Sequence, residues 1–346
     1  MSFAVPTVDI SAFVSGGSDL ARSEVATALD RACREVGFVQ ILGHGISQAT
    51  IDGLTEAIDR FFELDLDEKK RYQTPPGINR GYSPPKSETL SLSLGVEAAS
   101  KMNDFFESFN VGLTRADYPG EELLEVEYQD NVWPDGLPGF QAQVLDYFAE
   151  ARRVATVLTS IFPCSLGLAD DYFAQATSLA TGTMRINNYA LPPGSIDLDG
   201  ELRGMGEHTD FGIVTVLWAD QVRGLQVLGK DNGWHDVSPA DNALLVNLGD
   251  VMARWTNDKW MSTLHRVKPP IIDGMIERRR SVAYFHGETP ETIIAPIPEL
   301  LESGETPQYE PVSAFEHSRA KLAGSRGGKK NDAVPRDAAR VIDSSN

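Results

Sequence analysis

Residues 206–217 read Gly-Glu-His-Thr-Asp-Phe-Gly-Ile-Val-Thr-Val-Leu. A histidine and an aspartate, His208 and Asp210, stand one residue apart at the head of an apolar, β-branched run. The run is a strand that wants burial. Side chains two apart on a strand share a face, so His208 and Asp210 project together if the strand has begun, and Thr209 points away. Two readings stay open: solvated residues at a strand start, or two ligands of one metal.

The surroundings favour a β-rich core. From about residue 179 short β-type runs follow one another: TMRINNYAL, GIVTVLWA, GLQVLG, WHDVSP, ALLVNLG, HRVKPP and RRSVAYF. Gly, Pro, Asn and Asp punctuate them closely, the pattern of an antiparallel barrel or jelly roll. Upstream, helical spacing takes over. Residues 18–37 predict a helix with Ser18 as N-cap, an apolar stripe of Leu20, Val25, Leu29 and Val36, and Gly37 as the stop. Residues 38–46 predict a short buried strand and a glycine turn. Ser47 caps a second helix carrying Ile51, Leu54, Ile58 and Phe62, and residues 73–90 read as a Pro/Gly loop. A long helix fits 139–162, with Phe140, Val144, Phe148, Ala151, Ala155, Leu158 and Phe162 on one face. The division expected is an N-terminal helical/mixed region over 1–120, a β-rich core with its supporting helix over 121–316, and a polar, flexible tail over 317–346.

Composition narrows the function classes. Lys and Arg number 31 against 50 Asp and Glu, a net charge of −19. That acidity disfavours nucleic acid and anionic membranes, while a few local arginines still permit a small anionic ligand. No run approaches the roughly 18 apolar residues of a membrane helix. The N-terminus lacks a secretory pattern, so a cytoplasmic location is expected. The two cysteines, Cys33 and Cys164, have no CxxC partner and read as buried small hydrophobes.

Six histidines exist. A metal held by His208 and Asp210 needs a third ligand from another strand, and His265, opening HRVKPP, is the best candidate. Two imidazoles and one carboxylate leave coordination positions open. This suits non-haem Fe(II) binding a co-substrate and O2, although catalytic zinc is a rival by ligand type alone. Arg279 and Ser281 also lie two apart. A buried guanidinium beside a hydroxyl is a receptor for a carboxylate, and without an anion it would be costly to bury. His44 reads as a satisfied turn residue, His235 as a surface residue, and His286 as facing away from Arg279; His317 has no motif.

The segments HTD, STLHRV and RRSVAYF, in this order and at these separations, resemble the iron(II)- and 2-oxoglutarate-dependent dioxygenases of the isopenicillin N synthase-like superfamily. VPTVDIS, GFVQILGHGI and LGDVMARWTNDKWMSTLHRV resemble further segments of that family, and the likeness covers nearly all of 4–316. It implies an α+β fold, a double-stranded β-helix (jelly-roll) core wrapped by helices. It implies Fe(II) on His208, Asp210 and His265, and 2-oxoglutarate on Arg279 and Ser281, with Asn187 and Tyr189 also touching the keto acid. The match is looser after Tyr189, where the family continues Tyr-Pro-Pro and this chain reads Tyr-Ala-Leu-Pro-Pro. The implied reaction uses O2, releases succinate and CO2, and hydroxylates an unactivated C–H of a small-molecule substrate. Phe285, Arg80 and Tyr82 are candidates for the substrate pocket. Rival readings are a keto-acid-independent oxidase, a non-catalytic binding protein on the same scaffold, and a zinc hydrolase. Oligomeric state is not legible.

Overall fold

A computed structural model describes residues 3–75, 77–85, 87, 90–94, 106–190, 205–268, 271–272 and 275–325. The first half supplies strands β1 (Thr7–Asp9), β2 (Phe38–Leu42), β3 (Gly81–Ser83) and β4 (Glu107–Gly112). Its helices are α1 (Ser11–Val14), α2 (Asp19–Glu35), α3 (Gln48–Phe62) and α4 (Leu66–Lys70). Helix α5 (Phe140–Leu166) then leads to β5 (Gly182–Tyr189), β6 (Met205–His208), β7 (Val214–Ala219), β8 (Leu225–Leu228), β9 (Trp234–Asp236) and β10 (Leu244–Leu248). Helix α6 (Asp250–Trp255) and strand β11 (His265–Val267) follow. Then come the pair β12 (Ile271–Ile272) and β13 (Met275–Ile276), the long β14 (Arg279–His286), the pair β15 (Ile293–Ile294) and β16 (Val312–Ser313), and helix α7 (Ala314–Ser325).

An eight-stranded sheet runs in the order β1-β2-β10-β7-β14-β5-β4-β3, and a four-stranded sheet in the order β6-β11-β8-β9. Every pairing is antiparallel except β1 with β2. This is the jelly-roll core of an α+β protein. Strands from both sides of residue 120 share the large sheet, so that boundary separates no folding units.

Pleat alternation explains the layering. Even-numbered residues of β5 and β14, Met184, Ile186, Val282 and Tyr284, join the main hydrophobic core with the apolar face of α5. Phe148 of α5 meets Tyr284 edge to face at 5.3 Å. Odd-numbered residues of the same strands face a cavity between the two sheets. Each fully buried large apolar side chain contributes about 1.5–3 kcal/mol, so the α5 stripe anchors the large sheet from behind.

The helix starts follow the sequence. Ser18 accepts from the Ala21 N–H and Ser47 from the Thr50 N–H. Gly37 adopts φ +72°, and a Cβ there would lie 2.3 Å from the Met261 carbonyl oxygen, which is why glycine stops α2. Several expectations need correction. Leu20 is exposed, because it sits on the first turn of α2 away from the core. Helix α5 continues past Pro163 to Leu166, ended by left-handed Gly167, and Cys164 is exposed on its outer side. The 73–90 stretch contains β3, paired with β4. Residues 317–325, expected as tail, form most of α7, with His317 and Lys321 buried; positions 326–346 lie outside the described residues. No helix among the described residues is long and apolar enough to cross a membrane.

Candidate active site

His208 ends β6 and His265 opens β11, and the two are direct cross-strand partners. Their rings lie 4.2 Å apart. Asp210 follows β6 by two residues and brings Oδ1 to 3.9 Å from His208 Nε2 and 3.8 Å from His265 Nε2. One ligand atom from each of the three lies within 4.8 Å of the others.

Each side chain is aimed. His208 Nδ1 faces the Gly206 carbonyl at 2.8 Å, and His265 Nδ1 faces the Thr263 carbonyl at 3.0 Å. A carbonyl accepts, so each Nδ1 carries the proton and each Nε2 presents a lone pair to the common point. Burial, and then neighbouring His265, push the His208 pKa down to about 3, which keeps it in the neutral form that can accept a metal. Burial alone would raise the Asp210 pKa, but His265, His208 and two hydrogen bonds hold it below the ordinary value. Those bonds come from Asn247 Nδ2 at 2.7 Å and Thr215 Oγ1 at 2.5 Å, both to Oδ2. They orient the carboxylate with Oδ1 toward the imidazoles. The Asp250 N–H donates to the Asp210 carbonyl at 2.9 Å. The approach is that close because Gly249, just before, has no Cβ; one would lie 2.0 Å from the Gly212 oxygen. Thr209 points away, as expected, and its Oγ1 accepts from Lys321.

The second half of the site lies on the odd-numbered face of β14 and β5. Arg279 pairs in register with Tyr189, and Ser281 with Asn187. Arg279 is 2% exposed, yet its Nε and Nη1 have no hydrogen-bond partner among the described residues. Its guanidinium sits over the Tyr189 ring at 5.2 Å. Asn187 Nδ2 donates to Ser281 Oγ at 3.4 Å, and Asn187 Oδ1 has no partner among the described residues. A buried guanidinium with idle donors beside a hydroxyl fits a carboxylate group of a ligand. The triad and this receptor open into one cavity of about 220 Å³.

Phe285 lines this cavity, as its place on the odd-numbered face requires. Arg80 reaches the wall, but its guanidinium is committed to the backbone carbonyls of Asn79, Leu113, Glu127 and Gln129. It clamps the loop, and burial lowers its pKa to about 10. Tyr82 is not at the cavity. Its ring packs beside Phe61, and its hydroxyl donates to Glu107 at 2.6 Å, because its place in the β3 pleat turns it toward the helices. His44 is satisfied, accepting from the Ile46 N–H and donating to the Asn242 carbonyl. His235 pairs with Asp231 at the surface, and His286 stacks against Tyr284 on the helix-facing side.

Several lining residues escaped the reading of the sequence. Thr215 and Asn247 are lone polar residues inside apolar runs, a usable signal. Arg185 continues the alternation of Asn187 and Tyr189 onto the cavity wall. Glu127, Glu288 and Arg319 carry no local pattern, and they too line the cavity.

Comparison with known proteins agrees with this geometry. Residues 5–136 match the N-terminal region of the non-haem dioxygenases of morphine synthesis, and residues 181–288 match the 2OG-Fe(II) oxygenase superfamily. The chain is 31% identical to the 2-oxoglutarate-Fe(II) type oxidoreductase hxnY of Emericella nidulans, over 94% of this chain and 91% of that one. The chain belongs to the iron(II)- and 2-oxoglutarate-dependent oxygenases. The proline hydroxylase buaE of Petromyces alliaceus is 32% identical over 84% of this chain and 90% of its own. Among solved structures, full-length Neurospora crassa T7H in complex with alpha-KG and thymine superposes with a TM-score of 0.79 at 27% identity, covering 92% of this chain and 96% of that chain. As an oxygenase of this family the protein uses Fe(II) and 2-oxoglutarate, and the donor set of two imidazoles and one carboxylate fits that metal.

Proposed function

We propose that the protein hydroxylates an unactivated C–H bond of a small organic molecule, with iron on His208, Asp210 and His265 and the far carboxylate of 2-oxoglutarate on Arg279 and Ser281. Asn187 and Tyr189 complete the keto-acid pocket, and Phe285 lines the side that meets the substrate. The iron and keto acid supply the oxidising power when bound, with succinate and CO2 as co-products. The chain's own part is orientation and exclusion of water. Carbonyls lock both histidine tautomers, Thr215 and Asn247 hold Asp210, and the two sheets bury the reacting centre. The idle Nε and Nη1 of buried Arg279, opening into the same cavity as the triad, carry this reading.

An anaerobic titration of the Fe(II) protein with 2-oxoglutarate, followed by the visible charge-transfer band, tests it. Arg279→Ala removes a charge-assisted pair worth about 1.5–3 kcal/mol, so the dissociation constant should rise roughly 10- to 150-fold. An unchanged constant would remove Arg279 from the keto-acid site. The small-molecule assignment is supported by the cavity's size and by the thymine-bound relative.

A further inference from the structure

The cavity has two ends of opposite character. Along the cavity face of β14 the residues run Arg279, Ser281, Ala283 and Phe285, then Gly287 just past the strand. The row Asn247–Thr215–Phe285 crosses the sheet beside Asp210, so the metal triad lies toward the Phe285 end. Beyond it, on the side away from Arg279, the wall includes Glu288.

Glu288 is a built feature. It is 3% exposed, it lines the cavity, and its Oε2 has no hydrogen-bond partner among the described residues. Its backbone is held on both sides: Thr181 N–H donates to the Glu288 carbonyl at 3.2 Å, and Gly287 N–H donates to the Thr181 carbonyl at 2.8 Å. A Cβ at Gly287 would lie 2.2 Å from Thr181 Oγ1, so the glycine permits this close seam. The Glu288 backbone is therefore fixed at the end of the β5–β14 ladder. Among the described residues no cation acts on Glu288. Arg80 is taken up by four backbone carbonyls, and the pull of Arg319 and Arg80 falls on Glu127, the other acid on the wall.

Among the described residues, a buried carboxyl with an idle Oε2 at one end mirrors a buried guanidinium with idle Nε and Nη1 at the other. The guanidinium fits the acidic co-substrate. By the same logic the acid fits a positive group. We propose that the organic substrate is a small cationic amine whose ammonium N–H binds the Glu288 carboxyl, an inference that rests on reading this cavity as the oxygenase site. With no ligand, burial and then Glu127 raise the Glu288 pKa to about 8, so the carboxyl keeps its proton until a cation arrives. Binding an ammonium releases that proton and forms a charge-assisted pair out of water.

Calorimetry under anaerobic conditions, on the full chain loaded with Fe(II) and 2-oxoglutarate, tests this with matched probes. The cations are benzylamine, piperidine and cyclohexylamine, and the neutral isosteres are benzyl alcohol, tetrahydropyran and cyclohexanol. At least one amine should bind about tenfold or more tightly than its isostere, and Glu288→Gln should abolish that preference. Glu288→Asp, which withdraws the charge by one methylene, should leave a reduced preference and guards against a folding failure of the amide variant. Equal binding of amines and isosteres by the wild type, or a preference that survives Glu288→Gln, overturns the proposal. The 2-oxoglutarate affinity is measured in the same samples. If it is absent in the wild type, the keto-acid reading fails; if it is intact while the amine preference is absent, only the Glu288 assignment fails.

Discussion

Replacing Lys321 by Met keeps the aliphatic stem and deletes one ammonium from the interior. Lys321 is fully buried on α7; its Nζ pairs with Asp250 and donates to Thr209 Oγ1 at 2.8 Å. The Phe211 ring lies 5.2 Å from the same nitrogen. Thr209 stands between two of the triad residues, and Asp250 donates its N–H to the Asp210 carbonyl. Without the ammonium, buried Asp250 retains a hydrogen bond from Ser262 Oγ at 2.7 Å and has His317 Nε2 3.8 Å from its Oδ2. Breaking one side of a buried ion pair costs about 3–5 kcal/mol. The lost bond to Thr209 adds about 1 kcal/mol, while protonation of Asp250 or His317 returns part of the cost. The expected loss in urea unfolding at pH 7 is therefore about 3 kcal/mol. In the native protein burial opposes ionisation of Asp250, yet Lys321 and His317 hold its pKa below the ordinary value. Its stabilisation is thus present at neutral pH and lost only as the pH falls through that lowered value. In Lys321→Met the carboxyl's pKa rises instead, so the penalty should shrink as the pH drops from 7 toward 5. Removing the second charge as well, in Lys321→Met with Asp250→Asn, should recover most of the loss. A single-variant cost below about 1 kcal/mol, or additive costs in the double variant, would refute the ion-pair reasoning.

Three other outcomes follow from the same structure. Asn247→Leu leaves Asp210 in place but loosens its orientation, and Fe(II) affinity measured by competition with a chelator should fall roughly 10- to 100-fold. Tyr82→Phe removes a core hydrogen bond to Glu107, so chemical unfolding should register a loss of about 1 kcal/mol while the Michaelis constants for both substrates stay unchanged. His286 is buried, neither ring nitrogen has a hydrogen-bond partner among the described residues, and burial lowers its pKa to about 4. The unfolded chain takes up that proton from about pH 6.5 downward, so stability should fall between roughly pH 6.5 and 4, and His286→Phe should flatten part of that slope in urea melts across the range.

Much of the site was legible because strand periodicity is local. The two-residue spacing alone puts His208 with Asp210, Asn187 with Tyr189, and Arg279 with Ser281 on common faces. Helix caps at Ser18 and Ser47 and the stop at Gly37 are equally local, being matters of backbone hydrogen bonds and one positive φ. The apolar stripe of α5 follows from helical spacing, and every residue of it is buried.

Tertiary structure decided what lies across from what. His265 meets His208, and Arg279 meets Tyr189, only through the register of strands far apart in sequence. The same limit explains Tyr82, which shares a short loop motif with Arg80 but is turned into the core by a pairing with β4 that no local pattern encodes. It explains α7 as well. A polar stretch with few large apolar residues reads as a tail, because its anchor is the buried charge of Lys321 and that charge needs Asp250, which is distant in the chain. Glu288 is the extreme case: a single acid after a glycine, whose meaning comes from being walled into a cavity where no cation among the described residues acts on it. Covalent neighbours set which way a side chain points, whereas burial and partnership, which set its chemistry, belong to the folded whole.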